Sequence, residues 1–295
     1  MRVIKPVPIT DAEFVSSSVA ESDAPVWSGA TTYGLGNLVI FESTHRIYRS
    51  LANANTNNIP SDAASAWWLD TGPTNRWACL DTGVSTQTVG GSTLTVVLAP
   101  GAIDGVGLVN LSAQTASLSL SSGGEVVYAR EVSLVRDLVR KDWYGYFFEP
   151  VITLQNAVFF DVPPYPDGIV TITLTEASAV KVGVVAVGMT SVLGWAQHGV
   201  KVKIVDYSRK EIDDFGNAVL VKRGYRTELS VPLMIPADEA DGAYQVLAGL
   251  RSTPSVWAAS KRFDCSTVFG FYGDFELDLA SADYSYTTIQ VLGLL

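Results

Sequence analysis

Two histidines, two cysteines and a scatter of carboxylates are the residues of this chain that could do acid–base, metal or redox chemistry. His45 and His198 stand far apart, and neither Cys79 nor Cys265 lies at a short ligand spacing from them. A zinc site takes three or four such ligands, so no metal is expected. Both cysteines are expected to be buried thiols. Neither a glycine-rich phosphate loop nor a G-x-S-x-G elbow occurs, and Gly123-Gly124 reads as a turn. The nearest approach to a hydrolytic pair is Asp142 and Glu149, which bracket an aromatic run from Trp143 to Phe148. Two acids flanking a scissile bond would be glycosidase chemistry, whereas rings at that density also fill sheet cores. Asp213-Asp214-Phe215-Gly216-Asn217 sets carboxylates beside a glycine, as calcium loops do. Its spacing fits a hairpin turn with solvated charges better. Neither a cofactor nor a catalytic residue is expected.

Aromatic side chains offer a different chemistry, concentrated between Trp27 and Asp81. A flat ring can pack against the C–H face of a pyranose at little entropic cost, while amides and carboxylates bond its hydroxyls. Trp27, Tyr33, Tyr48, Trp67 and Trp68 are the candidate platforms. Asn53, Asn55, Asn57, Asn58 and Asp70 are the candidate polar partners. Alternation at Leu38 and Ile40, then Ile47, Arg49 and Leu51, predicts a hairpin around Glu42-Ser43-Thr44. So small a sheet has to use part of its rings as core. Adjacent Trp67 and Trp68 would face opposite ways on a strand, so one of the two is expected inside.

The order Trp27, Thr32-Tyr33, Gly36, Val39, Ile47-Tyr48, Asn58-Ile59-Pro60, Trp67-Trp68 resembles the small chitin- and cellulose-binding modules that accompany bacterial chitinases. MRVIKPVPIT, GPTNRW, DWYGYFFEP, DVPPYPDG, DYSRKEIDDFGN and the closing Tyr-rich strand together resemble a family of phage tail-tip or tail-associated carbohydrate-binding proteins, nearly end to end. That resemblance implies a structural virion protein of a tailed bacteriophage, made in the host cytoplasm and placed in the tail tip or baseplate. Its implied partners are other tail-tip proteins, further copies of itself in a symmetric ring, and a bacterial surface glycan. A glycoside hydrolase with an appended module and a purely structural tail protein are the alternatives.

The elements that would position these residues are mostly strands. At 295 residues the chain exceeds one ordinary core of roughly 100–150 residues, so two or three domains are expected. A net charge of −10 repels a phosphate backbone and argues against nucleic acid. No apolar run reaches the length of a membrane helix, so no membrane insertion is expected.

Residues 1–24, with Pro6 and Pro8, read as an extended arm, and residues 25–81 as the aromatic module. Across residues 82–193 the alternations at Leu94–Leu98, Leu118–Leu120, Val170–Leu174 and Val180–Val184 predict a β-sandwich. Residues 194–295 read as an α+β assembly domain. It has a strand over Leu229–Ile235, with Pro232 suggesting an edge, and one principal helix. Pro236 opens that helix and Thr253-Pro254 closes it. Gly242 and Gly249 weaken it, so it needs a sheet to pack on. The fold class expected is mainly β.

Overall fold

The computed structural model describes residues 1–60, 65–136, 152–212, 217–260, 263–278 and 283–294. Asp142, Glu149 and the rings between them, and residues 213–216 of the carboxylate turn, lie outside the described residues.

Chain order begins with β1 (Arg2–Pro6), β2 (Phe14–Ser17), β3 (Thr32–Tyr33), β4 (Leu38–Phe41), β5 (Arg46–Ser50), β6 (Asn55–Thr56) and β7 (Trp68–Pro73). After a 3-10 turn at Ala78–Leu80 come β8 (Thr88–Val89), β9 (Thr93–Leu98), β10 (Gly105–Ser112), β11 (Thr115–Ser122), β12 (Glu125–Ser133) and β13 (Val135–Arg136). There follow β14 (Ile152–Thr153), β15 (Asn156–Phe159), β16 (Ile169–Thr175) and β17 (Lys181–Val192). The last third holds β18 (Trp195–Ala196), β19 (Lys201–Asp206), β20 (Arg209–Ile212), β21 (Ala218–Val221) and β22 (Tyr225–Pro236). Helix α1 (Ala240–Gly249), β23 (Ser255–Ala258), β24 (Thr267–Tyr272) and β25 (Tyr284–Gly293) complete it. The fold is mainly β with a C-terminal helix.

Two sheets form the body. A five-stranded sheet runs β12-β11-β16-β9-β2, and an 11-stranded sheet runs β15-β10-β17-β1-β23-β24-β25-β22-β18, with β8 beside β17 and β19 beside β22. Leucines and valines of β9, β11 and β16 pack against Val106, Leu108, Phe159 and Val182 of the large sheet in one core. That is the arrangement alternating strands produce when two inner faces meet. A second core joins Leu229, Val231, Leu233, Ile289 and Val291 to Ala243, Leu247 and Leu250 of α1. The helix thereby acquires the packing its two glycines deny it. The large sheet also curls. Gly107 on β10 faces Val256 on β23 so closely that an added Cβ would meet the valine methyl at 2.8 Å, although two strands separate them in the ladder. Asp264 closes the curl by accepting hydrogen bonds from Gln155 N (3.3 Å) and Asn156 N (3.1 Å).

Three expectations are corrected. Residues 1–24 are not an extended arm, because β1 lies between β17 and β23, in register from Arg2↔Val192 to Pro6↔Gly188 on one side. Val3 and Ile4 are both fully buried, on opposite faces, which is the signature of an interior strand. The large sheet runs without a break through the position where a boundary at 193/194 was expected. Pro232 does not mark an edge either. It sits where β22 passes from β19 to β18 as its neighbour, and there its carbonyl accepts from Gln197 N while no N–H is required of it.

The cysteines differ from expectation as well. Both are free, but only Cys79 is buried and Cys265 is exposed. Burial pushes the Cys79 thiol up to about 11, against the opposing bond to Thr88. A thiol-reactive dye should therefore label one cysteine, Cys265, in the native protein and the second only after unfolding; rapid native labelling of Cys79 would contradict this packing. Gly188 allows β1 to lie beside β17, since a Cβ there would overlap the Lys5 carbonyl oxygen. Gly188→Ala is expected to cost more than about 2 kcal/mol in urea unfolding; a loss below about 0.5 kcal/mol would show that β1 is not held there.

Candidate functional site

The aromatic module is a three-stranded sheet, β4-β5-β7, with the small β3-β6 ladder beside it. Its hairpin turns through Glu42–His45, and His45 takes a positive φ of 53°. The register sets Val39 opposite Tyr48 and Ser50 opposite Trp68. These residues share the covered side with Tyr33.

Edge-on ring contacts fill this miniature core. Tyr33 meets Trp68 at 5.3 Å, Trp27 meets Phe41 at 5.8 Å and Phe41 meets Tyr48 at 6.4 Å. The polar tips are satisfied from within. Trp68 Nε1 donates to Asn58 O at 2.8 Å, and the Tyr33 hydroxyl accepts from Ser28 N at 2.8 Å.

The five candidate rings thus divide. Tyr33, Tyr48 and Trp68 are interior, and a ring with both faces covered has none to offer a sugar. Trp27 is half-buried, and its Nε1 is enclosed without an acceptor among the described residues. Trp67 alone is open, at 39% exposure against 3% for Trp68. Trp68 is the first residue of β7 and is turned inward, whereas Trp67 stands just before the strand.

The polar candidates divide in the same way. Asn55 is fully buried, donating to Ser50 Oγ and accepting from Asn58 Nδ2. Asn53 accepts from Leu35 N, and Asn57 holds a left-handed turn with φ 57°. Asp70 receives Arg46 Nε at 2.6 Å. Burial works against the Arg46 charge, but the Asp70 bond and the Asp70 and Asp81 carboxylates outweigh it and raise the Arg46 pKa.

What sequence reasoning missed is the company Trp67 keeps. Leu38, Arg49 and Leu69 stand in one cross-strand row, and Leu51, whose N–H donates to Trp67 O, opens the next. All five side chains are exposed. Arg49 pairs with no carboxylate among the described residues. The signal was available in the alternation of Leu38, Arg49 and Leu51, but apolar residues in a small module read as core.

A stack of rings fixes the module to the body. Arg76 lies over Phe14 (4.7 Å), Phe14 over Trp77 (4.7 Å) and Trp77 over His45 (4.0 Å). His45 is held edgewise as well, with Nδ1 3.0 Å from Glu21 and Nε2 2.8 Å from Asp11. Both contacts are hydrogen bonds only when the ring carries both protons. Glu21 also accepts from Thr74 Oγ1, and Asp23 from Asn75 N. The turn end of the module is thereby anchored, and the Trp67 side stays open.

Elsewhere the chemistry is sparse. Among the described residues no three His, Cys, Asp or Glu converge as metal ligands, and no helix is long and apolar enough to cross a membrane. An open groove of about 480 Å³ lies between α1 and the segment after β24, lined by Tyr244, Leu247, Arg251, Tyr272, Asp274 and Phe275. No protein-family model matches the chain, and no curated protein matches it.

The two neighbouring indoles should respond differently to truncation. Trp68→Ala removes a core ring and should cost about 3–5 kcal/mol in thermal or urea unfolding of the module, whereas Trp67→Ala should stay within about 0.5 kcal/mol of the parent. Equal losses would contradict the division of faces.

Proposed function

We propose that this chain is a non-catalytic structural protein of a tailed-phage tail tip or baseplate, which presents the Trp67 side of its aromatic module to a bacterial surface glycan. The observation that carries the glycan part is the open indole of Trp67, two residues before Leu69, the cross-strand partner of Arg49, which pairs with no carboxylate among the described residues. A pyranose packs its C–H face on the indole and turns its hydroxyls towards Arg49, whose rigid fork of donors suits vicinal hydroxyls or a sugar carboxylate. Leu51 and Leu69 are exposed near the ring, and Leu38 lies beyond Arg49 in the same cross-strand row as Leu69, so the apolar surface that a bound sugar would shield from water extends past the ring.

The phage part rests on the motifs that run from MRVIKPVPIT to the closing Tyr-rich strand, and the architecture is compatible with it. The anchored turn and the open far side suit display rather than enclosure. One exposed ring gives weak binding, so a ring of copies would multiply it through effective concentration.

Retention of the full chain on insoluble chitin and on immobilised host lipopolysaccharide tests the glycan part. Trp67→Ala should weaken retention at least tenfold, about 1.4 kcal/mol, and Arg49→Ala severalfold, each with an unchanged unfolding midpoint. Retention that survives both substitutions would refute the site, and release of soluble sugar from either polymer would favour the hydrolase. Antibody labelling of purified virions tests location, and a chain missing from tails would refute it.

A further inference from the structure

Helix α1 and the segment that follows β24 wall an open groove of about 480 Å³, a size that suits a small ligand. Both walls are held in place from behind. Leu247 is buried and fixes the helix to the sheet, while the Tyr272 hydroxyl ties the opposite wall to it by donating to Leu247 O at 2.8 Å. Tyr272 and Phe275 pack, partly buried, against the same core. Along the helix side, Tyr244, Ala248 and Arg251 line the groove at the spacing that sets residues on one face. The small side chain of Ala248 leaves room between the two long ones. Tyr244 is 59% exposed, so its ring is available to a ligand.

The polar groups of the groove are donors and acceptors that the fold leaves unused. Arg251 gives its Nε to Ala248 O at 3.0 Å, which anchors the fork and leaves both Nη groups without a partner among the described residues. Asp274 is exposed, and among the described residues it bonds neither Arg251 nor any other cation. The Ser252 hydroxyl on the same rim is also unused among them. With a positive and a negative group in one groove, an ion of either sign meets a like charge. A neutral ligand with neighbouring hydroxyls meets neither penalty, because its oxygens accept from the guanidinium while its O–H groups donate to the carboxylate. The exposed ring of Tyr244 adds a flat face for C–H groups. Ring, donor fork and carboxylate together match a pyranose.

We propose that the groove between α1 and the segment after β24 is a second saccharide site, taking one neutral pyranose unit with Tyr244 against its C–H face, Arg251 donating to its hydroxyls and Asp274 accepting from them. The site is independent of the module. No residue of the module lines the groove, so either site can fail while the other stands. Two weak sites on one chain hold a polymer that spans them more tightly than either does alone.

NMR titration of the full chain, labelled in its tyrosine rings, tests the site, with Tyr244→Phe identifying the Tyr244 signal. The probes are the methyl glycosides of glucose, galactose, rhamnose and N-acetylglucosamine, and glycylglycine as a zwitterion that could match both charges. The Tyr244 signal should move and saturate with at least one glycoside. Arg251→Ala and Asp274→Ala should each weaken that glycoside about tenfold with an unchanged circular dichroism spectrum, and Trp67→Ala should leave its affinity as in the parent. A Tyr244 signal that stays in place with every glycoside would overturn the proposal, as would an affinity that neither polar substitution changes. Saturation by glycylglycine and by no glycoside would make the groove a zwitterion site and overturn it as well. A Tyr244 response that disappears in Trp67→Ala would assign the binding to the module and refute a separate site.

Discussion

One strand of five residues holds the molecule together. β1 hydrogen-bonds β17 on one side and β23 on the other, so the sandwich and the helix-bearing half are parts of one sheet only while β1 lies between them. The chain that leaves β1 continues the same task. Val7 N donates to Val187 O, and β2 then forms the edge of the five-stranded sheet beside β9. Asp11, Phe14, Glu21 and Asp23 next hold the module through His45, Trp77, Thr74 and Asn75. A segment whose prolines suggest a loose tail is the thread that joins all three parts. Its strength lies in backbone bonds and in two residues, Val3 and Ile4, buried on opposite faces.

The two ends of the molecule meet the solvent in different ways. At the module, rings fill a core too small for aliphatic side chains alone, while Trp67 and three leucines stay outside. At the other end β19–β22 outrun the sheet that supports them and carry isoleucine, leucine and valine into water among lysines and arginines. Neither surface resembles a reaction centre, which needs positioned acids, bases or metals within bonding reach of one another. Both have the composition of a contact surface: an apolar patch with a few charges to orient what binds there.

Legibility in the sequence followed the length of the pattern. The strands at Leu94–Leu98, Leu118–Leu120, Val170–Leu174 and Val180–Val184 announce themselves by period, and they are strands. Helix α1 likewise shows in Ala240, Ala243, Leu247 and Leu250, which are buried. β1 was hidden because Val3-Ile4 is too short to show a period and its partners lie far along the chain. In DYSRKEIDDFGN the sequence suggests a hairpin turn but not the extent of its strands, because arginine, lysine and glutamate precede the one apolar residue of Arg209–Ile212, which pairs with Ala218–Val221. That Trp67 and Trp68 must part ways follows from alternation alone. Which of them is inside depends on register, and register comes from the pairing of Ser50 with Trp68 and the bulge between Ile47 and Tyr48. Neither is visible in the residue types.

The central claim is that one indole of the adjacent pair faces a glycan while its neighbour is core. Indole N–H signals in a ¹H–¹⁵N spectrum of the labelled protein report on each tryptophan separately, with the Trp67→Phe and Trp68→Phe variants supplying the assignments. On titration with soluble chitin oligosaccharides and with delipidated host lipopolysaccharide, the Trp67 signal should move and saturate in at least one case while the Trp68 signal stays in place. Movement at Trp68 without movement at Trp67, or no movement at either indole with both sugars, would contradict it.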